Sequence, residues 1–202
     1  MEILKSLRPQ QWIKNLFIFA PLLFSQNLTN GPLLLRNILA FAAFCALSSS
    51  HYIFNDLKDI EEDRLHPLKS QRPLASGRLH KTPAIAAMLI LGAGGFFLAG
   101  MINEYFFLVA LGYVVLQIAY SLWLKHVVIL DVFVVAAGFL IRVVAGGLAI
   151  RVEISSWLLI CTILLALFLA LGSAAMSLFS WNRTPRTTAP SSKSTIPISW
   201  IR

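Results

Sequence analysis

The sequence predicts an all-α fold, a polytopic membrane bundle, on three observations. Of its 202 residues, 57% are hydrophobic and 13% are charged, too few charges to clothe the core of a soluble domain of this size. The mean hydropathy is +0.75. Several apolar runs approach the roughly 20 residues that cross a bilayer, and they are continuous rather than alternating, which selects helices over barrel strands.

Six apolar segments follow in order. The first, at roughly 12–28, is short and contains Pro21, which predicts a kink or an interfacial start. The second covers about 33–56, the third about 83–102, the fourth about 105–124, the fifth about 127–150 and the sixth about 155–180. The linkers between the third and fourth segments, and between the fifth and sixth, are short enough to predict antiparallel hairpins. No internal repeat is visible. The basic start "MEILKSLRPQQWIKN" runs on into Pro21 without a small-residue cleavage site, so no removable signal peptide is expected.

The net charge of +8 sits in loops beside spans, where it reads as bilayer orientation and not as nucleic-acid binding. Lys5, Arg8 and Lys14 precede the first segment or open it. Lys58, Arg64, Lys69, Arg72, Arg78 and Lys81 follow the second, and Lys125 follows the fourth. Six crossings put these groups on one side, leaving Arg36 and Arg151 near span ends on the other. The expectation is a multi-pass membrane protein with its N-terminus and the acidic stretch after the second segment facing the cytoplasm. Cys45 and Cys161 fall inside apolar runs as packing residues, and His51, His66, His80 and His126 show no metal spacing. The stretch from Ser180 to Arg202 is rich in Ser, Thr and Pro, lacks acid, and reads as disordered.

The chemistry concentrates in "FNDLKDIEEDRLHPLKSQRPLASGRL", Phe54 to Leu79. Five of the nine carboxylates lie between Asp56 and Asp63, and basic residues follow at once. If the second helix continues past Phe54, Asp56, Asp59 and Asp63 stand at i, i+3 and i+7 on one face, with Asn55 at its border. Carboxylates so gathered repel unless a cation sits among them, and Mg²⁺ is the hard ion that takes carboxylates together with phosphate oxygens. Lys69 and Arg72 then supply basic contacts to a diphosphate. A solvated acidic loop salted by its basic neighbours is the bland alternative.

Polar residues also interrupt the fifth segment. Asp131 and Arg142 are eleven apart and share a helix face, about 16 Å from each other and too far to pair. An Arg near mid-membrane faces a polar cavity or a partner on another helix. One reading makes it a cavity wall, with Tyr120, Lys125 and Arg142 near phosphate groups. The other makes it a structural ion pair. Asp131 serves to orient Lys125 or Arg142, and Ala145, Gly146 and Gly147 fit close helix packing.

At "NDLKDIEED" the sequence resembles the N-D-x-x-D-x-x-x-D motif of the UbiA-type intramembrane prenyltransferase superfamily, and "RLHPLKSQRPLASG" resembles the segment that follows it there. "LRPQQWIKNLFIFAPLLFS" and "YSLWLKHVVILDVFVVAAGFLIRVVAGG" look like the decaprenyl-phosphate phosphoribosyltransferase branch. The resemblance covers about residues 5–172, taken as a partial domain of about six transmembrane helices, with 173–202 as an atypical end.

The resemblance implies a nine-helix bundle around a cavity open to the cytoplasm, with Mg²⁺ holding the donor diphosphate at two aspartate motifs. Asn55, Asp56, Asp59 and Asp63 carry over as the first motif, the three Asp as metal ligands and catalytic groups, and Lys69 and Arg72 as diphosphate contacts. The implied reaction moves 5-phosphoribose from phosphoribosyl diphosphate to polyprenyl (decaprenyl) phosphate, a step toward cell-wall arabinan. Arg8, Lys14 and Asn15 would gather the two phosphorylated substrates, or else serve as ordinary interfacial anchoring. The same first motif is compatible with aromatic prenyl transfer from a prenyl diphosphate. A transporter or non-catalytic scaffold explains the spans but not the Asp spacing.

The match breaks near the end. No Asp or Glu follows Glu153, and the family pattern stops after Leu171 and Gly172. The expectation is a truncated or frameshifted member without the second aspartate motif, weakly active or inactive. A transfer assay on the purified chain with radiolabelled phosphoribosyl diphosphate checks this. Turnover should fall more than about tenfold below that of a full-length relative, and turnover inside that margin refutes it.

Overall fold

The structure, a computed structural model, describes residues 2–123 and 128–183, without the side chains of 128, 129, 131 and 173–183. It consists of helices α1 (Glu2–Leu7), α2 (Ala20–Phe24), α3 (Gly31–Lys58), α4 (Ile60–Leu65), α5 (Lys81–Ile102), α6 (Glu104–Leu122), α7 (Val128–Ile150) and α8 (Ser156–Arg183). A 3₁₀ helix, Pro9–Phe19, joins α1 to α2, and a 3₁₀ turn, Lys69–Gln71, lies between α4 and α5. Among the described residues there is no strand. Among the described residues four helices are long and apolar enough to cross a membrane: Gly31–Lys58, Lys81–Ile102, Glu104–Leu122 and Val132–Ile150, with a shorter apolar stretch at Ser156–Gly172.

Local chemistry sets the boundaries. Asn30 caps α3, its side chain accepting from the Leu33 N–H, with Pro32 in the first turn where its missing N–H costs nothing. Asn103 alone separates α5 from α6. Its Oδ1 accepts from the Phe106 N–H at 2.8 Å, and its Nδ2 donates to the Leu148 carbonyl at 2.9 Å, which ties the hairpin to the end of α7. α7 ends with Arg151 in the left-handed region (φ 56), where the Val152 N–H bonds Gly147 O and the Arg151 N–H bonds Leu148 O. Both expected hairpins are present.

The first apolar segment, expected to hold a kink or an interfacial start, is built as a 3₁₀ helix that passes into the short α2 at Ala20. The chain from Pro9 to Phe24 runs antiparallel to α3, with Trp12 beside Ser49, Asn15 beside Cys45 and Ser48, and Phe19 beside Phe41. A 3₁₀ helix rises about 2.0 Å per residue and an α-helix 1.5 Å, so residues 9–24 extend about 30 Å, the thickness of a bilayer's hydrocarbon core. The stretched winding lets a short segment span that thickness.

The core lies where this strand of chain, α3, α6 and α7 meet. Ile18, Leu22, Phe44, Phe106, Tyr113, Ala145 and Ala149 are buried together, and the Phe44 ring sits 5.7 Å from Phe106 and 5.1 Å from Tyr113. Small residues on α7 admit the backbone of its neighbour: a Cβ on Gly146 would overlap the Ile18 carbonyl. Outside, Leu89, Ile90, Phe97, Leu108, Val115, Leu164 and Phe168 are exposed. That apolar exterior suits lipid and would drive aggregation in water.

The close approach at Gly146 yields a test. Gly146→Ala should destabilise the protein in detergent by about 1–3 kcal/mol through overpacking. Gly112→Ala, where nothing lies within 4 Å, should be neutral or gain up to about 1 kcal/mol from helix propensity. Equal thermal shifts for the two variants would contradict the packing described.

Candidate functional site

α3 ends at Lys58, and Asp59 forms the joint to α4 (φ −95, ψ 16). Helical hydrogen bonding continues through it, Asp59 N–H to Asn55 O at 3.0 Å and Asp63 N–H to Asp59 O at 2.8 Å. Asp56 and Asp63 therefore stay on one side, and both are buried, 2% and 3% exposed. The chain beyond α4 folds back and delivers Arg72 between them. Its Nη1 lies 3.1 Å from Asp56 Oδ1 and 2.7 Å from Asp63 Oδ2. Arg8 approaches from the N-terminal side, Nη2 2.5 Å from Asp56 Oδ1, with its guanidinium 5.2 Å over the Tyr52 ring. Arg8 itself is left-handed (φ 52, ψ 61), a conformation that costs a non-glycine residue about 1–2 kcal/mol and is held here by the ion pair and ring contact.

Asp59 sits half-buried at the joint. Among the described residues no three His, Cys, Asp or Glu side chains converge to hold a metal, so the structure gathers two of the three expected aspartates. The reason is local: an arginine, not a third carboxylate, fills the space between Asp56 and Asp63. Two carboxylates meeting at one nitrogen still supply the hard oxygen donors that Mg²⁺ combines with water and phosphate, so this pair fits such an ion. Asn55 turns away from the aspartates and accepts from the Ser121 hydroxyl at 2.6 Å, while Lys58 Nζ donates to the Ser121 carbonyl at 2.5 Å. These bonds moor the end of α3 to the end of α6.

His66 shapes the returning loop. Its Nδ1 accepts from the Leu68 N–H at 3.1 Å and the Lys69 N–H at 3.2 Å, which places half-buried Lys69 beside the cluster. Burial first, and then the Lys69 charge, hold the imidazole below its ordinary pKa of 6.5, which favours the neutral form that accepts both bonds.

A cavity of about 610 Å³ opens beside the cluster, lined by Arg8, Gln11, Lys14, Phe17, His51, Tyr52, Gln117, Tyr120, Gly138 and Arg142, among others, and by Leu169 and Ala170 of α8. The 3₁₀ winding explains part of this lining. At three residues per turn, positions i and i+3 eclipse, so Gln11, Lys14 and Phe17 form one straight column on the cavity, which Arg8, the left-handed residue just before the helix, also lines. Trp12, Asn15 and Ile18 form a second column, packed inward, with Asn15 and Ile18 fully buried. Leu16 stands exposed on the third, and Ile13, also exposed, borders the cavity as well.

Arg142 closes the deep end, 5% exposed. It donates from Nε to Asn15 Oδ1 (2.7 Å), from Nη1 to Gly138 O (2.7 Å) and from Nη2 to Tyr113 Oη (2.9 Å), and its guanidinium lies 4.9 Å over the Tyr113 ring. Asn15 in turn donates to Cys45 and Ser48. Of the expected residues, Arg8, Lys14, Tyr120 and Arg142 thus line one cavity, and Asn15 braces it from behind. Lys125 and the side chain of Asp131 lie outside the described residues. Tyr113 and Gln117 were not anticipated, although Tyr113, Gln117 and Tyr120 recur at i, i+4 and i+7 along an otherwise apolar helix, a stripe that marks a polar face.

The UbiA prenyltransferase family matches residues 16–181. The chain belongs to that family. It is 34% identical over 186 residues to a decaprenyl-phosphate phosphoribosyltransferase of Mycolicibacterium smegmatis, covering 90% of this chain and 58% of the relative. To the decaprenyl-phosphate phosphoribosyltransferase of Corynebacterium glutamicum it is 35% identical over 188 residues, 90% and 56% of the two chains. The chain therefore spans under two thirds of these curated relatives. In fold it is similar to a UbiA homolog from Archaeoglobus fulgidus bound to DMAPP and Mg²⁺, with a TM-score of 0.75 and 24% identity over 91% of this chain and 66% of that one.

The Arg72 bridge makes a stability prediction. Arg72→Leu leaves Asp56 and Asp63 facing each other with Arg8 alone, and should cost on the order of 3 kcal/mol in detergent unfolding. Adding Asp63→Asn should restore more than half of that, so additive losses in the double-mutant cycle would contradict the shared bridge.

Proposed function

We propose that this UbiA-family protein transfers a 5-phosphoribosyl group from phosphoribosyl diphosphate to a polyprenyl phosphate, decaprenyl phosphate being the acceptor in the names of its relatives. The observation that carries this reading is the cavity: Arg8, Lys14 and Arg142 line it and, among the described residues, no carboxylate does, while two buried carboxylates wait at its mouth. Such a site suits two phosphorylated substrates meeting beside a metal–diphosphate.

In the reaction the bond between C1 of the sugar and the diphosphate oxygen breaks, and a phosphate oxygen of the lipid bonds to C1. Asp56 and Asp63 would hold Mg²⁺, which when bound neutralises the departing diphosphate. Arg72, already poised between them, can move one of its N–H groups to a diphosphate oxygen while keeping a carboxylate contact. Lys69 stands next to it in the loop. Arg8 and Lys14 reduce the repulsion between donor and acceptor, whose phosphate is already anionic and needs positioning more than deprotonation. Residues 9–24 and α3 present the lipid-facing side along which a polyprenyl chain can lie. The Lys and Arg distribution supports an inner-membrane protein with this mouth on the cytoplasmic side.

The test is transfer in proteoliposomes with Mg²⁺, comparing ribose-labelled phosphoribosyl diphosphate plus decaprenyl phosphate with a prenyl diphosphate plus an aromatic acceptor. Label should enter the lipid phase only with the first pair, and Asp56→Asn should lower that rate on the order of a hundredfold. Turnover of the prenyl pair alone would overturn the reading in favour of aromatic prenyl transfer.

A further inference from the structure

The deep end of the cavity carries a charge that the cluster at its mouth does not explain. Arg142 is buried, and among the described residues it makes no ion pair. Its three hydrogen-bond acceptors, Asn15 Oδ1, Gly138 O and Tyr113 Oη, are all neutral. A guanidinium buried in a membrane bundle without a counter-charge is costly, and three groups on three different elements are spent on holding it still. Those contacts use three of its five N–H groups and leave one on each Nη nitrogen for a further acceptor. Lys14 adds a second cation on the same cavity.

The depth of this end follows from its bracing. Asn15, which holds Arg142, also donates to Ser48 of α3, and Asp56 lies eight residues further along that helix, about 12 Å at 1.5 Å per residue. The two ends are therefore separate sites, one made of carboxylates bridged by arginine, the other built on Arg142 with no carboxylate among the described residues that line it.

We propose that Arg142, oriented by Asn15 and Tyr113, is a second anion site that binds a phosphate monoester deep in the cavity. The choice of ligand rests on the reaction proposed above, in which both substrates bring such a group: the 5-phosphate of the donor sugar and the phosphate of the lipid. A donor seated with its diphosphate at Asp56 and Asp63 would point its sugar inward, toward Arg142.

Calorimetric titration of the purified protein in detergent, with EDTA present, tests this with ribose 5-phosphate and with farnesyl phosphate as probes. At least one should bind the wild-type chain, and Arg142→Gln should weaken that binding about tenfold or more, as expected for loss of a charged bidentate contact. Weakening confined to ribose 5-phosphate assigns the site to the donor, and weakening confined to farnesyl phosphate assigns it to the acceptor. If Arg142→Gln does not fold, Arg142→Lys, which keeps the charge but not the fork, should bind the same probe roughly threefold to fivefold more weakly. Unchanged affinity in the folded variant, or no binding of either probe to the wild type, overturns the proposal. No diphosphate, Mg²⁺ or turnover enters the measurement, so its outcome is separable from that of the transfer assay.

Discussion

The shared ion pair of Arg72 with Asp56 and Asp63 is the constraint on which the site depends. Two carboxylates this deeply buried cannot stand unneutralised beside a hydrocarbon phase. The sequence supplies the neutralising charge from a loop that would otherwise have no reason to fold back over α3. Arg8 adds a second charge from the N-terminus and accepts a left-handed backbone to do so. One electrostatic requirement thus pins three pieces of chain that are distant in sequence, and their convergence makes the mouth of the cavity.

Much of this was legible in the residues. Long apolar runs gave the helices, short linkers gave the two hairpins, and the Asp spacing with its basic sequel marked the functional stretch. Arg142 could be assigned to a polar environment because mid-span charge is too costly to leave in lipid. What could not be read is equally specific. Asp59 shares a face with Asp56 and Asp63 on an unbroken helix, but the joint at Asp59 and the insertion of Arg72 are tertiary events that local periodicity does not encode. Tyr113 reads as one more aromatic in an apolar helix until its hydroxyl is seen to accept from Arg142. Asn55 looks like part of the acidic face because it adjoins it in sequence, yet the hydroxyl of Ser121 claims its side chain.

The 3₁₀ segment is the largest departure, and its signal lies in a three-residue period. Arg8, Gln11 and Lys14 recur every three residues, whereas an α-helical amphipathic pattern mixes steps of three and four. On an α-helix each three-residue step falls 60° short of a full turn, and this column would wind away from the cavity into the packed face or the lipid. On a 3₁₀ helix Gln11, Lys14 and Phe17 stay in line, with Asn15 free to face α3 and α7 and Leu16 free to face outward. The weaker hydrogen-bond geometry of a long 3₁₀ run is offset by anchors at successive depths: Arg8 to Asp56, Trp12 to Ser49, Asn15 to Ser48 and Arg142, and Ile18 against Gly146. The polar side chains that line the cavity and those that hold its wall in place are therefore adjacent columns of one element. Fold and site cannot be altered independently along this stretch of chain.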